Sequence, residues 1–176
     1  MMKLIKLYLA FLLLIYGCVD NTNKNITTEQ DYNDTPDQIC YNMEFVFFDS
    51  STSKTIINSK RARVYNKKNE TILDSGVFVR FYNDIGEQTG TLKADLIIID
   101  DITKDMLANS NVLVISDTNN TKLETSELKW RQNDRKIYTD AKVKITSPNE
   151  IIEGIGLISE EDLSNYKIYK VTGIRQ

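Results

Sequence analysis

Ser51 and Lys54, in the stretch SSTSK, stand at the Ser-x-x-Lys spacing in which a lysine can take the proton of a serine nucleophile during acyl transfer. That chemistry needs more than the pair. Neither the Ser-Asp-Asn nor the Lys-Thr-Gly companion occurs, and the pair falls between two strand-like runs rather than at the start of a helix, so coincidence is the better account. Asp100, Asp101 and Asp105 offer carboxylate oxygens but lack the ligand spacing of a calcium loop, which leaves a solvated turn. Gly86 and Gly90 are not followed by the Lys-Ser/Thr of a phosphate-binding loop. Histidine is absent altogether, and with it go the commonest general base, the imidazole metal ligand and the neutral-pH switch. Two cysteines are too few for a zinc site. The chain reads as a non-enzyme with no cofactor and no metal.

What remains is a scaffold whose surface must do the work. The 176 residues, 41% hydrophobic and 27% charged, suffice for one domain with a substantial core but not comfortably for two. The formal charge of −3 becomes about −5 if Lys3 and Lys6 leave with a cleaved leader, which argues against a nucleic-acid partner.

The N-terminus supplies that leader. Lys3 and Lys6 precede an unbroken apolar run from Leu7 to Tyr16, then Gly17 and Cys18. Such a run spans about 15 Å as a helix, half of a bilayer core, and so suits a signal peptide rather than a membrane span. Ile15 to Cys18 resemble the box of bacterial lipoproteins, in which the cysteine is acylated and becomes the new N-terminus; Tyr16 is bulkier than that pattern favours. Two or three acyl chains, at about 0.8 kcal/mol per buried methylene, give lasting attachment. The expected organisation is a signal peptide over 1–17, an acylated Asn/Thr/Asp-rich tether over 18–37 with a reach of roughly 25 Å, and a folded domain over 38–176. Cys40 is then left without a partner and is expected to be a small buried hydrophobe.

In that domain apolar residues recur with period two: Met43, Phe45 and Phe47; Val77, Val79 and Phe81; Val112 and Val114; Leu128 and Trp130; Val143 and Ile145. Turn segments such as YNKKNE, SDTNNT and RQNDRK separate them. One short helical turn is expected at SEEDLSNY, where Ser159 would cap an acidic first turn. There is also a repeat. RARV, KADL and TSEL place Ala62, Ala94 and Ser126 at successive intervals of 32 residues, with SGVFVRF, SNVLVIS and DAKVKIT between and after them. Two strands and two turns per unit imply an all-β structure of repeated antiparallel hairpins, each stacked on its neighbour's apolar face.

The segment ANSNVLVISDTNNTKLETSELKWRQNDRKIYTDAKVKIT resembles the signature of the lipopolysaccharide-transport jelly-roll proteins, with DSGVFVRFYNDIGEQTGTLKAD as a preceding repeat and IIEGIGLISEEDL as a closing motif. With the Pro-Asp-Gln lead-in at Pro36 and a membrane-proximal N-terminus, residues 36 to 174 are similar to LptC, the periplasmic component of the lipopolysaccharide export machine of the Gram-negative cell envelope. Well-known members keep an uncleaved transmembrane helix, whereas this chain looks lipidated. The resemblance implies an inner-membrane-anchored periplasmic protein that carries lipopolysaccharide acyl chains between its sheets. Its partners would be the membrane subunits of an ABC transporter and a periplasmic bridge.

Several strands carry apolar residues at both parities, as in Val77, Phe78, Val79 and Phe81 or Val112 to Ile115. A solvated antiparallel sheet shows one polar face. Two readings stay open: ordinary core, or an inward face left partly unfilled for acyl chains. The pool for such a lining is Val77, Val79, Phe81, Val112, Val114, Leu128, Trp130, Val143 and Ile145, with the inward parity unassigned. Gly154 and Gly156 fall near the outgoing edge, where a side chain could obstruct pairing with a partner; plain turn or bulge glycines are the alternative. A structural or adhesive β-rich lipoprotein without lipid cargo is the competing function.

Overall fold

The computed structural model describes residues 35–49 and 53–175. Ten antiparallel strands run through them: β1 (Gln38–Asp49), β2 (Ser53–Tyr65), β3 (Glu70–Tyr82), β4 (Gln88–Ala94), β5 (Leu96–Asp100), β6 (Met106–Ser116), β7 (Thr121–Arg131), β8 (Lys136–Thr146), β9 (Ile151–Glu160) and β10 (Tyr166–Arg175). They pair in chain order within one sheet, with β4 and β5 as two halves of one interrupted strand held between β3 and β6. The all-β antiparallel architecture expected from the alternation is the fold found, and it is consistent with the jelly-roll that the resemblance implies. The leader, Cys18, the tether up to residue 34 and Ser51 lie outside the described residues. Among the described residues no helix is long and apolar enough to cross a membrane.

A flat meander of this width could not bury its apolar face, and the strands solve this by bending at mid-length. Register shifts fall between Ser59 and Arg61, Asn109 and Val112, Thr125 and Lys129, and Thr139 and Lys142, while β4 and β5 break at Asp95. Each shift is a bulge, which kinks a strand and raises its twist. Ser75, Gly76, Ser110, Asn111 and Gly156 supply the left-handed backbone that the kinks require, with φ between 53° and 94°. The 32-residue repeat therefore marks these bends. Ala62 and Ala94 flank two of them and are buried, whereas Ser126, the third member, faces solvent.

The row of bends divides the sheet into two half-sheets whose apolar faces meet. In the upper one, a ladder of paired residues crosses eight strands: Phe45, Ile57, Val79, Leu92, Val114, Leu123, Ile145 and Ile152. In the lower one the corresponding row is Cys40, Ala62, Leu73, Ile97, Ala108 and Leu128. Cys40 is a free thiol, half-buried against the core rather than enclosed by it. Turns 66–69, 117–120 and 132–135 each end on a left-handed residue, Asn69, Asn120 and Arg135.

The helical turn expected at SEEDLSNY is absent. Ser159 belongs to β9, and its hydroxyl donates to the Glu160 carbonyl at 2.8 Å. Residues 161–165 form a tight connection closed by Glu160 N–H to Asn165 O at 3.1 Å. Within it Leu163 takes a left-handed φ of 59° and is only 1% exposed. Burying that leucine outweighs the local preference for a capped helical turn.

One bend carries an ionic staple. Asp74, in the lower half of β3, accepts from Arg61 Nε at 2.6 Å and Nη2 at 3.1 Å, and pairs with Arg63 at 2.7 Å. Ser59 Oγ, just across the kink, donates to the carbonyls of Arg61 and Asp74. Burial pushes the Asp74 carboxyl upward, but hydrogen bonds from Arg61 and Ser75 and the charge of Arg63 outweigh it, and its pKa is lowered. A lowered folded-state pKa gives stability that is present above the ordinary carboxylate value and is lost as pH falls from there through the folded-state value. Asp74→Asn should lower Tm by about 3–8 °C at neutral pH. Thermal melts from pH 7 to pH 3 should show the gap to wild type closing below about pH 4; a gap independent of pH would mean that the carboxylate's charge contributes nothing.

Candidate functional site

Between the half-sheets lies a cavity of about 230 Å³. Phe47, Val79, Phe81 and Leu92 form its upper wall; Ile97, Met106, Ala108, Leu128, Trp130 and Ile137 form the lower. Lys104, Gln132, Arg135 and Glu161, all from the turns that close the lower half-sheet, make a charged rim on one side, and Phe48, Thr55 and Tyr82 edge the other. The strand pattern explains the walls, because residues two apart on paired strands share the inward face.

All nine residues of the lining pool lie on that inward face. Val77, Val79, Val112, Val114, Leu128, Val143 and Ile145 are buried, and Phe81 and Trp130 are half-buried. Four of them, Val79, Phe81, Leu128 and Trp130, line the cavity. Val77, Val114 and Ile145 are packed into the continuous core. Val112 and Val143, equally buried, underlie a shallow groove beside Asn111, Glu124 and Lys142. The sequence pool missed six wall residues, Phe47, Leu92, Ile97, Met106, Ala108 and Ile137, although Phe47 stands in the period-two run of the first strand. Strand register would have found Leu92 through its partners Val79 and Val114.

Apolar residues at both parities have a plainer cause than an unfilled interior. Phe78, on the outward face, lies beneath the Lys93 ammonium at 5.6 Å, and long lysine stems of this kind cover apolar surface while their charge stays in water. The other motifs resolve into turn chemistry. Asp100 accepts from the backbone N–H groups of Ile102 and Thr103, both at 2.8 Å, and those of Thr103 and then Ile102 hold its pKa below the ordinary value. Asp101 accepts from Thr71 Oγ1 and Asp105 from Gln132 N–H, so the three carboxylates are spent on separate contacts. Among the described residues no group of three or more acidic or sulfur side chains is placed to hold a metal. Gly86 sits in the turn after β3, and Gly90 lets β4 pass close to the carbonyl of Ile115, which a Cβ would approach to 2.7 Å.

Gly154 and Gly156 lie one strand in from the C-terminal edge, in β9. A Cβ on Gly154 would stand 2.4 Å from Ile168 Cγ2 and 2.7 Å from the Lys170 carbonyl, and one on Gly156, already at φ 75°, would meet the Tyr169 ring at 2.6 Å. Both glycines seat β10. Among the described residues the edges are the outer sides of β1 and β10, each paired on one side only. Ile39, Tyr41 and Val46 on β1 and Tyr169, Val171 and Ile174 on β10 are exposed.

Residues 6–175 match the family described as lipopolysaccharide-assembly, LptC-related. No curated protein matches the chain.

Gly154→Ala should loosen β10, with amide exchange at residues 168 to 171 accelerated about tenfold or more. Gly173→Ala, whose Cβ would have 3.9 Å to its nearest neighbour, should leave exchange unchanged. Equal effects of the two would contradict the seating role.

Proposed function

The chain belongs to the LptC-related lipopolysaccharide-assembly family and so takes part in lipopolysaccharide transport; on that premise we propose that its inter-sheet cavity receives lipopolysaccharide acyl chains on their way out of the inner membrane. The observation that carries this reading is the cavity itself, apolar on both walls, with the half-buried Phe81 and Trp130 among its lining. Each methylene moved from a membrane into water costs about 0.8 kcal/mol, so several chains need a continuous apolar path. At about 230 Å³ the space is below the 300 Å³ or more of typical small-molecule sites, so a full set of chains requires the half-sheets to part. A shallow, adaptable site suits a relay, because tight binding would trap the cargo.

The energy for transport comes, on this reading, from ATP hydrolysed by other subunits. The two edges that no described strand pairs offer docking by strand addition, and their exposed apolar side chains favour it. By family resemblance, β1 would meet the membrane subunits and β10 the periplasmic bridge. Cys18, acylated, would hold the domain at the inner membrane in place of a transmembrane helix. Metabolic labelling with a fatty acid should mark the wild-type chain and not Cys18→Ser; equal labelling would remove the anchor.

Photocrosslinking in cells tests the cavity. A photoreactive side chain at Val79 should give lipopolysaccharide adducts, and one at Phe78, its outward neighbour, should not. Absence of adducts at both, with the protein folded and abundant, would favour a scaffold without lipid cargo.

A further inference from the structure

The trough is hollow on one side and filled on the other. Strands β1 to β8 line the cavity, and among the described residues further along the chain Glu161 alone joins them; no residue of β9 or β10 does. On the far side Val114, Leu123, Ile145 and Leu157 are buried in the core cluster and none of them lines the cavity. The connection 161–165 stands at the boundary between the two. Glu161 Oε2 accepts from the indole N–H of Trp130 at 3.4 Å, and its Oε1 accepts from Arg135 Nη2 at 2.5 Å. One residue on, the Asp162 carbonyl accepts from Asn119 Nδ2 at 3.3 Å, which ties this lower turn to an upper one across the mouth. Leu163 then dives into the core, in a backbone conformation that branched side chains rarely adopt.

A connection that needed only to reverse the chain would not place a leucine in left-handed backbone. Burial is what holds it there, so any event that opens the space around Leu163 also releases its strain. The side-chain contacts that fasten the segment to neighbouring turns suit release: one long indole bond, one bond to the turn that holds Asn119, and an ion pair whose arginine is about half exposed. The same glutamate that latches the segment touches Trp130, a cavity wall, so a chain entering the hollow side and shifting the indole acts directly on the latch.

We propose that residues 161–165 form a gate, with Leu163 as the plug and Glu161 as the latch, which closes the hollow half of the trough against the β9–β10 side until an acyl chain displaces Trp130. The gate rests on the acyl-chain reading above. It makes passage conditional: cargo that enters beside β1 to β4 moves on only when it fills the hollow half, and the direction comes from the ATP-driven subunits.

The test uses the full-length chain in lipid nanodiscs, lipopolysaccharide carrying a diazirine in an acyl chain, and mass-spectrometric mapping of the adducts. Wild type should be labelled on β3 and β7 and not on β9. Leu163→Gly, which removes the plug and suits the left-handed backbone, should extend labelling to the region of Leu157 at least threefold above wild type. Glu161→Ala, which keeps the plug and removes the latch, covers the case in which the glycine variant fails to fold, and should extend labelling in the same direction. Labelling confined to β3 and β7 in every folded variant would overturn the gate while leaving the acyl-chain reading in place. Labelling of β9 in wild type would also overturn the gate. No labelling of the inward face at all would remove the acyl-chain reading and the gate with it.

Discussion

A ten-stranded meander with one apolar face has nothing to pack against, and here each strand is bent at mid-length so that the face covers itself. The bends are the constraint on which the other features depend. They need left-handed backbone, met by Ser75–Gly76, Ser110–Asn111 and Gly156, and they need local fastening, met around β2 and β3 by the Asp74 carboxylate with its two arginines. They also fix where the two halves of the sheet meet closely and where they part. The cavity is the part of that closure that the side chains leave unfilled.

The hollow and filled halves have the same secondary structure and the same ladder of inward residues. They differ in what stands opposite. Beside β1 to β4 the upper wall of aromatic and aliphatic side chains faces Ala108, Leu128 and Trp130 across empty space. On the other side Leu163 enters the continuous core from the last connection. For the proposed acyl-chain function this difference matters, since the hollow part offers room that a fully packed trough would not.

Much of this was legible in the sequence because a period of two is a direct geometric statement: Val77, Val79 and Phe81 must share a face, and register then carries the pattern from strand to strand. The 32-residue repeat was visible as well, although its meaning, a bend rather than a hairpin unit alone, required the paired register. Parity was not legible, since Phe78 and Leu113 are as apolar as their inward neighbours, and the Lys93 ammonium that lies over Phe78 is not revealed by sequence spacing. The connection after β9 misled because a serine followed by acidic residues is a good local helix start. The tertiary burial of Leu163 overrode it. Gly154 and Gly156 were placed near the right edge, but whether they face a partner or the chain's own last strand depends on which strand is outermost.

The central claim is that the inward face, and not the outer surface, holds apolar chains. Trp130 is the only tryptophan in the chain and stands in the cavity wall, so its fluorescence reports the site without a label. The most direct measurement is quenching of that fluorescence by lipopolysaccharide or a single-chain amphiphile brominated in the acyl chain. Saturable quenching in wild type that is lost in Ala108→Phe, where the added ring fills the space, is the predicted result. A folded wild-type protein whose fluorescence is untouched, or quenched equally in Ala108→Phe, would contradict it.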